Sequence, residues 1–120
     1  PLPCYGTTHA DSFRGEVPVT GMMSKELITG EYEKNTGAMI VECFKERNPA
    51  EMPACLVRSH GPFTWGSSCE KAVENSAVLE YCAQIADRSR VLNSDVKEID
   101  PVLVDNHYLR KHGGEYGQQS

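Results

Sequence analysis

The sequence predicts an α/β layered fold, and three observations predict it. Residues 31–47 (EYEKNTGAMIVECFKER) carry apolar side chains at helical spacing, residues 54–59 (ACLVRS) form an apolar run of strand length, and a second long helical pattern follows Trp65 and Gly66. Strands interspersed with helices imply layers of both, although the strands visible in the pattern are too few to fill a sheet by themselves.

Each element follows from local chemistry. Residues 16–20 (EVPVT) alternate polar and apolar after a glycine, which fits a short edge strand because Pro18 is tolerated only at an edge. Ser24 offers an N-cap to a short helix containing Leu27 and Ile28, and Gly30 interrupts it. In the next helix Tyr32, Thr36, Met39, Ile40, Cys43 and Phe44 fall on one face. Gly37 in its middle costs about 1 kcal/mol against alanine, so close packing against another element is expected there.

Two prolines in NPAEMP (48–53) make a loop, and the apolar strand then delivers the chain to His60. Ser67 and Ser68 are cap candidates for a long helix whose inner face is expected to hold Cys69, Val73, Ser76, Leu79, Ala83 and Ala86. A last helix starts near Asp100, with Pro101 suited to its first turn, and Gly113 with Gly114 ends it before a polar tail, EYGQQS.

Bulk properties narrow the function. With 120 residues the chain holds at most one core, and no apolar run approaches the roughly 18 residues of a membrane span. A net charge of -5 without a block of Lys or Arg argues against a nucleic-acid surface, because neutralising phosphates requires clustered cations. A site on an acidic protein can still be locally positive, so small acidic substrates stay open. The five cysteines (Cys4, Cys43, Cys55, Cys69 and Cys82) are odd in number and show no C-x-x-C pair. A reducing compartment, the cytoplasm, is therefore expected, with three of them acting as small core residues.

Candidate site residues come from three stretches. His60, between the strand and Gly61-Pro62 in LVRSHGPFTWG, either offers a ring nitrogen to a metal or caps a turn. Asp11 in GTTHAD is either a general acid or base or the cap of a turn. The run DNHYLRKHGG carries Asp105, His107, Tyr108, Arg110, Lys111 and His112, which suits a solvated helix face or, near a helix end, a meeting point for an anion. Tyr116 is either a docking aromatic or a phenol that donates a proton.

The blocks GTTHADSF, GEYEKNTGAMIVECF, LVRSHGPFTWG, AVENSAVLE and HYLRKHG followed by EYGQ resemble, in order and in spacing, those of the L-ribulose-5-phosphate 4-epimerases of the class II aldolase and adducin superfamily, from Gly6 to Gln118. The resemblance implies a three-layer α/β/α sandwich, a divalent metal (Zn2+, or another such as Mn2+) and His60 as one of its three histidine ligands. It implies Asp11 and Tyr116 as the acid/base pair, Thr7 and His107 as active-site groups that bind substrate, and Arg110 as a phosphate contact across a subunit boundary. Glu33 matches a position near the metal. The implied reaction is metal-assisted retro-aldol cleavage of L-ribulose 5-phosphate, rotation of the glycolaldehyde phosphate and re-addition on its other face, in a homotetramer. Rival expectations are a class II sugar-phosphate aldolase and an inert interaction module.

Departures matter as much. Arg58 stands where the family usually has the first histidine of V-H-S-H, which leaves the expected ligand His60 in place, whereas Ser12 and Arg14 replace aromatic residues, and these two changes are expected to bear on substrate preference. The upstream H-x-H pair that supplies the other two metal ligands is absent, as are the phosphate loops T-W-G-N, S-G and S-S-D. Residues 1–120, which open on Pro1 without a methionine, are accordingly expected to be the C-terminal portion of one domain, with a partial mixed sheet and no activity until the N-terminal portion joins it.

Overall fold

The computed structural model describes residues 1–113. Its elements, in chain order, are α1 (Thr7–Ser12), α2 (Lys25–Thr29), α3 (Tyr32–Cys43), β1 (Ala54–Val57), β2 (Gly61–Thr64), α4 (Cys69–Leu92) and α5 (Pro101–His112). The fold is of the mixed α/β class, as expected.

Helix ends lie where the caps put them. The Ser24 hydroxyl accepts from the Leu27 amide and the Ser68 hydroxyl from the Lys71 amide, each satisfying a donor that has no partner inside its helix. Asp100 does the same for Val102, and Pro101, which has no N–H to satisfy, opens α5. Gly30 closes α2, and Gly113, at φ 79°, closes α5 in the left-handed conformation that glycine adopts without steric cost.

The sheet is a two-stranded antiparallel hairpin with Ala54 opposite Thr64 and Val57 opposite Gly61. Sequence pattern missed β2, because a Gly-Pro start reads as a loop. Pro62 is tolerated here because β2 pairs with β1 on one side only among the described residues. Residues 16–20 do not make the expected strand. Instead Val17 bridges Leu2 in antiparallel fashion and Val19 bridges Leu56 in parallel, with Pro18, which has no amide hydrogen, between the two bridges.

Phe13, Val17, Met52, Ala54 and Leu79 form the main core cluster, so the loop after α1, β1 and α4 share one interior. Cys4, Ala10 and Val104 make a second cluster that ties α1 to α5. Three of the cysteines, Cys4, Cys55 and Cys82, are buried core residues. On α4 the buried residues are Asn75, Leu79, Cys82 and Ala86. The expected inner face is thus rotated: Leu79 and Ala86 are on it, whereas Cys69, Val73 and Ser76 are exposed. Asn75 explains the error, since its buried amide donates to the Trp65 carbonyl and so satisfies a polar group that the apolar pattern leaves outside.

On α3 only Thr36 of the expected face is fully buried, and Met39, Ile40, Cys43 and Phe44 are half-buried. Gly37 does not pack closely, for a Cβ there would meet open space. Gly66 is the close approach instead: a Cβ would lie 2.9 Å from the Lys71 side chain and 3.1 Å from the Ala72 nitrogen. Among the described residues no helix is long and apolar enough to cross a membrane.

Candidate active site

The first turn of α1 follows Gly6, which has no side chain to cap it, and six residues are too few for a helix to persist alone. Tertiary contact therefore holds α1. His9 and Ala10 are buried on its inner side, and the His9 ring donates through Nε2 to the Gly15 carbonyl at 2.6 Å. Burial holds the His9 pKa below its ordinary value, partly opposed by that hydrogen bond. Asp11, on the last turn, is left half-exposed.

Helix α5 supplies the partners of Asp11. The His107 ring meets the Asp11 carboxylate, Nδ1 to Oδ1 at 3.0 Å, and the His112 Nε2 lies 2.9 Å from the Asp11 main-chain oxygen. A carbonyl only accepts, so His112 carries its proton on Nε2. An ionised carboxylate also only accepts, so opposite it Nδ1 of His107 is the donor, and its Nε2 has no hydrogen-bond partner among the described residues. An aspartate and a histidine joined in this way can hold and pass a proton.

Asp11 stands between two depressions. Asp11, His107, Arg110 and Lys111 line one of about 180 Å³. The other, about 450 Å³, has Asp11, Lys111 and His112 on one side and Trp65, Lys71 and Asn75 on another. Arg110, Lys111 and His112 occupy the last turn of α5, where cations offset the helix's unsatisfied carbonyls. Two cations beside a half-exposed carboxylate have the chemistry to attract an anion and to exchange a proton.

Of the residues singled out from the sequence, the structure brings together Asp11, His107 and Arg110. Thr7 lines a separate small cavity of about 60 Å³ against Cys82, Ile85 and Ala86 of α4. Glu33 is exposed in the first turn of α3. Tyr116 lies outside the described residues. Trp65 and Lys71 were not among the candidates, and no local signal points to them: they reach the larger depression only because the hairpin returns the chain beside α4.

His60 sits at the hairpin tip, exposed, after Ser59 at φ 62° and before Gly61 at φ 143°. A three-residue loop with a left-handed residue is a standard way to reverse an antiparallel pair, and here it turns the imidazole outward over Phe63, ring centroids 5.2 Å apart. His60 lines neither depression beside Asp11. Among the described residues no three His, Cys, Asp or Glu side chains converge as a metal site, so one exposed imidazole does not fit a metal by itself.

Arg14 is engaged elsewhere. Its guanidinium bonds Asp105 at 2.9 Å and Glu51, lies over the Tyr108 ring at 5.5 Å, and lines neither depression beside Asp11. The hydrogen bond to Asp105 leads the causes that raise its pKa above the ordinary arginine value.

An α/β chain with a carboxylate, an imidazole and cations gathered at the end of one helix has the groups of an acid/base site for an anionic substrate. Residues 1–86 match the family described as Class II Aldolase and Adducin N-terminal domain, and the chain belongs to that family.

Proposed function

We propose that residues 1–120 are the C-terminal portion of a single class II aldolase/epimerase domain and that, joined by its N-terminal portion, they epimerise L-ribulose 5-phosphate to D-xylulose 5-phosphate. The observation that carries this reading is the Asp11–His107 pair beside Arg110 and Lys111. Reversing one stereocentre by breaking and remaking a carbon–carbon bond needs a proton donor on each side of the aldehyde oxygen. Asp11, held by His107, is one of them and Tyr116 is the other, while Arg110 receives the phosphate and Thr7 serves substrate binding. Lys111 adds charge beside Arg110. A divalent cation, Zn2+ or Mn2+, would take His60 as one ligand only with the remainder supplied by polypeptide outside these 120 residues, since His60 stands at the hairpin tip and lines neither depression beside Asp11. The working assembly is a homotetramer in the cytoplasm, with the site shared between subunits.

The family match supports a sugar-phosphate aldolase as well. Product analysis separates the two. Full-length domain incubated with L-ribulose 5-phosphate is expected to form D-xylulose 5-phosphate, and D11N and H107Q are expected to lower turnover by about 100-fold or more, the usual scale of acid/base catalysis. Release of dihydroxyacetone phosphate from a ketose 1-phosphate, with no epimer formed, would assign the aldolase instead. Absence of both, with no bound Zn2+ or Mn2+ by elemental analysis, would leave the interaction module.

A further inference from the structure

We infer that His112 is a positioning residue for Asp11: its Nε2–H fixes the last turn of α1 and thereby holds the Asp11 carboxylate on His107. This rests on the reading of Asp11 as an acid/base group, and it concerns a residue to which neither the resemblance nor the family match gives a part.

Four contacts lead to it. The His112 imidazole lies flat on the Tyr108 ring, centroids 4.0 Å apart and planes 15° from parallel, so its orientation is set by a neighbour one helical turn earlier. Tyr108 is itself immobilised: it is buried, its hydroxyl lies 3.4 Å from the Ala50 carbonyl, and the Arg14 guanidinium lies over its ring. From this base the His112 Nε2 reaches the Asp11 carbonyl at 2.9 Å. That carbonyl belongs to the last turn of a six-residue helix, so the bond restrains the main chain from which the Asp11 side chain projects.

Two bonds from one helix thus grip one residue. His107 holds the Asp11 carboxylate and His112 its carbonyl, five residues apart on α5, so that Asp11 is attached to α5 through both its side chain and its main chain. A side chain anchored only through its carboxylate could follow a fraying helix end away from His107, and the second bond prevents this. Catalytic groups misplaced by about 1 Å lose on the order of 100-fold in rate, so such a restraint has functional weight.

The test compares H112F, which keeps the ring and loses the donor, with H112Q, whose amide nitrogen can reach the place of Nε2. In the full chain the Asp11 χ1 distribution is read from three-bond couplings to its carboxyl carbon, beside thermal unfolding. Wild type and H112Q are expected to show one rotamer and H112F an averaged one, with H112F still folded. In the epimerase assay H112F should lower kcat about tenfold with KM within twofold, and H112Q should recover most of it. A single Asp11 rotamer in folded H112F, or averaging in H112Q as well, overturns the inference, and so does loss of the fold in H112F, which would make His112 part of the scaffold. Failure of the epimerase reading appears as no turnover in wild type, while the couplings still decide the role of His112.

Discussion

Replacing Arg14 with methionine removes two charge-assisted hydrogen bonds and keeps most of the side chain's apolar stem. The magnitude follows from exposure. Hydrogen bonds to charged groups contribute about 1.5–3 kcal/mol when desolvated and exposed pairs about 0.2–1 kcal/mol. Here the Arg14, Glu51 and Asp105 side chains are 28%, 37% and 45% exposed, between the two limits, so about 1 kcal/mol each is appropriate. Losing both, with the contact to Tyr108 partly kept by the thioether, should cost about 2 kcal/mol. With an m-value of about 2 kcal/mol per molar, the urea midpoint measured by circular dichroism should fall by about 1 M. R14M and D105N together should cost less than the sum of their separate effects, because Asp105 has lost its partner once Arg14 is gone. A midpoint within about 0.2 M of wild type would refute the argument that these two bonds stabilise the fold by holding the segment after α1 to Glu51 and to Asp105 of α5.

Three further outcomes can be measured alongside. His9 titrates below its ordinary value when folded, so protonation favours the unfolded chain: its contribution is complete above about pH 6.5 and fades as pH falls toward the folded value. The urea midpoint should therefore drop between about pH 7 and 5.5 in wild type and drop less in H9Q, and equal slopes in the two proteins would contradict this. Burial pushes the Cys4 and Cys82 thiols up to about 11 and Cys55 to about 12, so iodoacetamide near pH 8 should label exposed Cys69 first, with these three reacting only on unfolding, as peptide mass spectrometry would reveal. Gly37→Ala should stabilise by about 1 kcal/mol, since helix propensity improves and its Cβ enters open space, whereas Gly66→Ala should destabilise by about 1–3 kcal/mol through its clash with α4; chemical denaturation giving the same sign for both would sink the packing argument.

By itself the sequence determined the features that depend on neighbours a few residues away. Ser24, Ser68 and Asp100 cap their helices, Gly30 and, in the left-handed conformation, Gly113 stop theirs, and ACLV makes a strand, because a capping side chain or a helix-ending glycine acts within one turn of chain. It also nominated Asp11, His107 and Arg110, through motif resemblance rather than through periodicity. The tertiary structure alone decided the rest. Gly61–Thr64 becomes a strand only because β1 is there to pair with it, and α4 turns Asn75 inward only because the Trp65 carbonyl waits for its amide. Asp11 and His107 meet across 96 residues, and the grip of His112 on the same residue spans 101. Such contacts form when α1 and α5 pack through Cys4, Ala10 and Val104, and burial between distant segments leaves no local pattern to read.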